Sequence, residues 1–366
     1  MNSRAWPMAL LAMMIAASAS AQEAWQTEWS QTLARAKGQT LNLTTHPEDG
    51  YEQTIDEFKK KFPEIAVSIH AAAAQPTAVR IVTEQKNGVY GWDSWWAPIA
   101  NMVSTLAPAQ AMAPIDDYLI LPEIKTLSNW NAPDYVYPGA GKMIFVHTYQ
   151  QEMSIFQNAS VKGSKPFTRA EDILDPVYRD NIAMREPSAL NAGTLALSGL
   201  LRENDLEFIR RLFFDQRPIV INNPRQLMDS VMNGDKMIVI GGSGDVYQQC
   251  VTSGACSKVN ALPIGKYVIS RGVTVLKNAP HKDAVKIWVN WLLSREGQEA
   301  YVRNWAKYNR NGAASLRKDV APHPNHVSSI PDYATLGRYT LASDSSGRDI
   351  TDQIVGMYNS YKEKAR

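Results

Sequence analysis

The stretch Pro263–Gln298, PIGKYVISRGVTVLKNAPHKDAVKIWVNWLLSREGQ, decides the fold. Tyr267 to Leu276 alternates and is rich in Val, Ile and Thr, the pattern of a strand. Asn278, Ala279 and Pro280 break it, with Pro280 near a first helical turn, where its missing N–H costs nothing. From Ala284 the apolar residues fall at Ile287, Trp288, Trp291 and Leu292, one face of a buried amphipathic helix. Ser294 can cap a further helix, with Glu296 in its positive first turn.

The same strand–helix unit recurs upstream. Glu23 to Lys37 reads as an opening helix, Thr40 to Thr45 as a strand, and Tyr51 to Phe62 as a helix. Ile65 to Ala71 is a second strand, Thr77 to Asn87 a helix, and a third strand lies near Val89 to Trp95. This alternation predicts a parallel, doubly wound sheet. Residues 107–138 are Pro-rich and irregular, and Lys142 to Thr148 and Met153 to Gln157 are alternating strands. A second round follows: helices at Ala192–Leu201, Phe208–Phe214 and Pro224–Asn233, and strands at Pro218–Ile221 and Lys236–Ile240. A short helix over Val246–Gln249 comes next, and the tail is helical from Ile350 to Lys362.

Length and composition fit this reading. The chain has 366 residues, 45% of them hydrophobic and 20% charged, enough for about two domains with cores of their own. With 38 basic and 36 acidic residues, a net +2, nothing marks a nucleic-acid surface. Arg4, the apolar run Trp6–Ala17 and the small-residue site Ala19-Ser20-Ala21 predict an export leader over residues 1–21, cleaved before Gln22. In the oxidising compartment this implies, Cys250 and Cys256, the only cysteines, are expected to pair.

Sheets of this kind bind ligands beyond the carboxyl ends of their strands. On the first half, that places Thr45 and His46 after the first strand and Trp96 after the third in view of a crevice. On the second half, Ser188, Asn191 and Thr194 open one helix and Ser243 another, where free N–H groups and hydroxyls favour anions. Simple helix capping competes with that role at each of these residues. Arg185 precedes the first loop and can meet a carboxylate or phosphonate. A hydrolase elbow needs G-x-S-x-G, but Gly241-Gly242-Ser243-Gly244 runs on to Asp245, and no P-loop or GxGxxG occurs. His323 and His326 are the only close histidines, in PHPNH, and are read as a solvent loop, so no metal ligands are assigned.

Several of these segments carry a family resemblance. GVTVLKNAP, the Trp-rich helix and LLSREGQ resemble the return crossing of the periplasmic solute-binding proteins of ABC transporters. FQNASV resembles that family's first lobe crossing, and PFTRAEDILDPVYRDNIAMREPSALNAGT its opening of lobe two. The resemblance implies an α/β fold of two doubly wound lobes joined by two crossover hinge segments, the type II periplasmic binding architecture. Lobe one would take residues 22–157, lobe two 158–265, and 266–366 would return to complete lobe one. It implies a periplasmic monomer without enzymatic activity or cofactor, which captures a small-molecule solute and docks on an inner-membrane ABC permease. The branch it is most similar to binds ferric iron, polyamines or phosphonates. Ferric members carry an adjacent Tyr pair after the strand matching Met237–Ile240, but here Gly242, Ser243 and Gly244 stand there. Only Glu48, Asp49 and Asp245 could cage a polyamine. A small anionic or zwitterionic organic solute is therefore the expected ligand, with ferric iron, a polyamine or a secreted hydrolase as alternatives.

Overall fold

The computed structural model describes residues 24–47, 49–167, 169–187, 191–308, 313–324, 340–341 and 345–364. The leader, Ser188 and His326 lie outside them. No helix among the described residues is long and apolar enough to cross a membrane.

The first lobe opens with helix α1 (24–36), then β1 (Thr40–Thr45), α2 (Asp49–Lys61), β2 (Ala66–Ala71), α3 (Ala74–Lys86) and β3 (Ser94–Pro98). β1 pairs in parallel with β2 and with β3. The third strand starts five residues later than its sequence pattern suggests: residues 89–92 carry no regular structure and Asp93 is a bend. The Asp93 carboxylate is fully buried and accepts from the backbone N–H of Asn42 and of His281, both at 2.8 Å. Residues 107–138 hold only β4 (Met112–Ala113), α4 (Pro122–Lys125) and short helical turns, as their proline content predicts.

β5 (Ile144–Glu152) leads to β6 (Ile155–Asn158), and here the chain changes sheets. β6 pairs antiparallel with the second sheet, so residues 155–157 belong to lobe two and not, as expected, to lobe one. β7 (Ile182–Met184), α5 (Ala192–Glu203), α6 (Leu206–Phe214), β8 (Ile219–Val220), α7 (Pro224–Met232), β9 (Ile238–Ile240), α8 (Gly244–Thr252) and β10 (Val259–Ala261) complete it. The strand order is β10-β6-β9-β7-β8, with β7 parallel to both neighbours. Cys250 and Cys256 form the expected disulfide, tying the end of α8 to the loop before β10.

β11 (Tyr267–Leu276) carries the chain back, pairing antiparallel with β3, β4 and β5. α9 (Lys282–Leu293) buries Ile287, Trp288, Trp291 and Leu292 as its periodicity requires. Asn290 is buried on the same helix because its amide serves another segment: Oδ1 accepts from the backbone N–H of Ile120 and Leu121, and Nδ2 donates to the Tyr118 carbonyl. Ser294 Oγ accepts from Gly297 N–H at 3.2 Å and so caps α10 (Arg295–Tyr308).

The tail corrects a second boundary. β12 (Thr340–Leu341) adds to β11 of the first sheet, but α11 (Ser345–Lys364) returns to lobe two. Ile354 and Tyr358 enter the lobe-two core with Phe213, Leu197 and Leu200. The C-terminal residues thus do not all complete lobe one, and a third segment joins the lobes. Nothing in the amphipathic pattern of α11 says which of two apolar surfaces it covers.

Candidate functional site

Between the sheets lies a cavity of about 220 Å³, lined from lobe two by Arg185, Ala192, Pro224 and Gly241 to Gly244, and from lobe one by Glu152, Tyr267, Ile269 and Arg271. That volume is below the ~300–1,000 Å³ of drug-sized ligand sites and suits a smaller solute.

The lobe-two wall is built by close backbone packing. Gly241 has φ +79°, and a Cβ there would stand 2.5 Å from Gly193 Cα and 3.1 Å from Arg185 Cβ. A Cβ on Gly193 would in turn reach 2.5 Å from the Arg185 carbonyl oxygen. Only glycine allows the start of α5 to pack this closely on the turn after β9, beside Arg185. Gly241 and Gly242 N–H both donate to the Ser154 carbonyl, at 2.8 and 2.9 Å, which anchors this wall to the first crossing. Ser243 lines the cavity, and its Oγ accepts from Val246 N–H at 3.3 Å as the cap of α8. The Arg185 guanidinium has no carboxylate partner among the described residues.

The sequence-derived candidates separate into groups. Asn191 caps α5: its Oδ1 accepts from Gly193 and Thr194 N–H at 2.8 and 3.1 Å, and its Nδ2 donates to the Glu186 carbonyl. That side chain ties the start of α5 to Glu186, the neighbour of Arg185. Thr194 is wholly buried in the first turn of α5. Thr45 ends β1 with Oγ1 buried and without a hydrogen-bond partner among the described residues, and His46 follows it half-buried. None of Asn191, Thr194, Thr45 and His46 is among the residues lining the cavity.

Trp96 is placed differently from expectation. It is fully buried in lobe one, its Nε1 donating to His147 Nε2 at 2.8 Å and its ring edge-on to Tyr51 at 4.5 Å. Trp95 is also fully buried. Alternation sends the two rings to opposite faces, and both faces of β3 are covered. Burial lowers His147 to about 3, the Arg271 charge adding to the effect, so the imidazole is neutral and able to accept from the indole.

Sequence reading missed the lobe-one floor. Tyr267, Ile269 and Arg271 are alternate residues of β11 and share one face, and Glu152 is the register partner of Tyr267. Strand alternation shows that they share a face; it does not show that this face meets the other lobe.

A floor of strand side chains facing a wall of helix starts, with two principal crossings between, defines a two-lobed binding protein. A profile described as bacterial extracellular solute-binding protein matches residues 44–299, and the chain belongs to that family. The family's proteins are periplasmic, bind solutes without transforming them, and work with the permeases of ABC transporters. No curated protein matches. Among solved structures, an ABC transporter protein from Clostridium perfringens is 16% identical with a TM-score of 0.65, covering 88% of this chain and 99% of that one. Iron-bound HitA from Pseudomonas aeruginosa is 16% identical with a TM-score of 0.59, covering 86% and 99%. Apo ferric ion-binding protein A from Pasteurella haemolytica is 16% identical with a TM-score of 0.61, covering 88% and 98%. The shared fold is that of type II periplasmic binding proteins.

Proposed function

We propose that this protein captures a small anionic or zwitterionic organic solute in the interlobe cavity and delivers it to an ABC permease. The observation that carries the reading is Arg185, an arginine lining the cavity without a carboxylate partner among the described residues, beside the capped start of α8. Guanidinium and helix N-terminus together favour an anion. Glu152, across the cavity, suits an ammonium group on the same molecule. Ser243 is the hydroxyl donor of this set, and Asn191 caps the start of α5 behind it, with Thr194 buried in that first turn. Contacts from both lobes exist together only when the lobes close, so the solute favours the closed form.

Ferric iron is a second reading, because two of the similar structures are described as iron-bound or ferric ion-binding proteins. In this chain Tyr267 and Glu152 are register partners lining the cavity and offer two oxygen donors. The described residues hold no cluster of three His, Cys, Asp or Glu for a metal.

A thermal-shift screen of the metal-stripped mature chain tests the proposal. The panel holds carboxylates, phosphonates, amino acids, sugars, polyamines and ferric salts. A ligand at 100 times its dissociation constant adds about 2.7 kcal/mol and raises the midpoint visibly. The proposal expects the rise with an organic anion. A rise with ferric salt alone, or with sugars alone, overturns it.

A further inference from the structure

The cleft floor holds polar groups that the lobe-two anion site does not use. Arg271 lines the cavity although it is only 4% exposed. Its guanidinium lies 4.5 Å from the Trp305 ring centre, and Nη1 donates to Gln150 Oε1 at 2.8 Å. Gln150 is itself 4% exposed, and its Nε2 is buried with no hydrogen-bond partner among the described residues. A buried amide N–H₂ left this way is costly unless something accepts from it. Gln150 is the register partner of Ile269, a cavity residue, so its side chain shares the cleft face.

The local backbone is arranged to hold Arg271 there. The β5–β11 register shifts between Arg271 and Gly272, with His147 of β5 as the extra residue of the bulge. A Cβ on Gly272 would stand 2.7 Å from the Phe145 carbonyl oxygen, so the strands approach closely beside the arginine. Bulges of this kind re-aim side chains next to sites.

Arg185 and Arg271 line the cavity from opposite lobes. Arg185 packs against Gly241, which is hydrogen-bonded to the first crossing at Ser154. Arg271 is four residues along β11 from Tyr267, the partner of Glu152, or about 14 Å from the crossing end. An acid group held by Arg185 on the lobe-two wall leaves the Arg271 charge and the Gln150 amide of the lobe-one floor to a second group. We infer that Gln150 and Arg271 form a second anion-recognition element on the cleft floor, and that the solute carries two acidic groups. Gln150 Oε1 orients the guanidinium, and Gln150 Nε2 donates to the second acid beside the Arg271 charge. This rests on the anion reading of the same cleft.

The test is calorimetry on the mature full-length chain with succinate and glutarate, against butyrate and valerate of matching length. The wild-type protein should bind at least one diacid tenfold or more tighter than its monoacid partner. Gln150→Glu sets a carboxylate on Arg271 and should weaken the diacid about thirty-fold, the loss of one charge-assisted hydrogen bond, while moving the monoacid less than about twofold. If Gln150→Glu does not fold, Arg271→Lys keeps the charge without the planar fork and should cut the diacid preference about tenfold. Equal binding of diacids and monoacids, or a diacid preference that survives Gln150→Glu, overturns the inference. If in that case Arg185→Gln still abolishes binding, the anion site of lobe two stands alone. Binding indifferent to Arg185→Gln refutes the site reading itself, and no binding of any of these acids overturns the diacid inference.

Discussion

Replacing Gly241 by alanine probes the contact on which the lobe-two wall depends. Two costs are expected. Alanine at φ +79° is strained by about 1–2 kcal/mol. The new methyl would also stand 2.5 Å from Gly193 Cα and 2.7 Å from Gly193 N, a backbone overlap that typically costs a further ~1–3 kcal/mol. Gly88→Ala supplies the control, since Gly88 has φ +76° and a Cβ there would meet nothing within 4 Å. The difference between the two variants isolates the close approach, and we expect Gly241→Ala to be less stable by about 1–3 kcal/mol. Urea unfolding measures it, and each kcal/mol corresponds to roughly 2–4 °C in a thermal scan. The methyl also pushes the start of α5 away from the turn after β9 beside Arg185, so solute affinity should fall in Gly241→Ala and not in Gly88→Ala. Equal stabilities and equal affinities for the two variants would refute the reasoning.

Two further outcomes follow from the packing. His147 is lowered to about 3 in the fold, so between that value and its ordinary 6.5 the unfolded chain binds a proton that the folded chain does not. Its contribution is therefore complete above about pH 6.5 and declines as pH falls, by about 1.4 kcal/mol per unit. The stability gap between wild type and His147→Gln should shrink by about 2–3 kcal/mol from pH 6.5 to 4.5, and a pH-independent gap contradicts the buried neutral imidazole. Ile354 is fully buried in the lobe-two core, so Ile354→Ala should cost about 2–5 kcal/mol in urea unfolding. A cost below about 1 kcal/mol contradicts the docking of α11 on that lobe.

Local pattern carried most of the fold. The strand and helix of Tyr267–Leu293 and the α/β alternation of residues 40–86 are written in periods of two and 3.6, and the structure keeps them. The disulfide followed from compartment and count. What escaped is what depends on which surface meets which. Residues 155–157 alternate as any strand does, and only pairing with β9 and β10 assigns them to the second sheet. Trp96 looked like a crevice residue because it closes a strand, yet its ring completes a core with Tyr51, Trp288 and Tyr301.

The site divides along the same line. Helix-start residues such as Asn191 and Ser243 are legible because capping chemistry is local, but their hydroxyl and amide groups are partly taken up by the caps themselves. Arg271 and Glu152 carry the floor and sit in an antiparallel ladder whose cleft-facing side is set by the placement of the other lobe. No spacing in one strand encodes that.

The most direct test of the central claim sets the mature wild-type chain beside Arg185→Gln in calorimetric titrations with organic anions and with ferric salt. The account predicts that an organic anion binds the wild type and that Arg185→Gln weakens it about ten- to hundredfold, the loss of a charge-assisted contact. Binding of ferric salt alone, unchanged in Arg185→Gln, would contradict it.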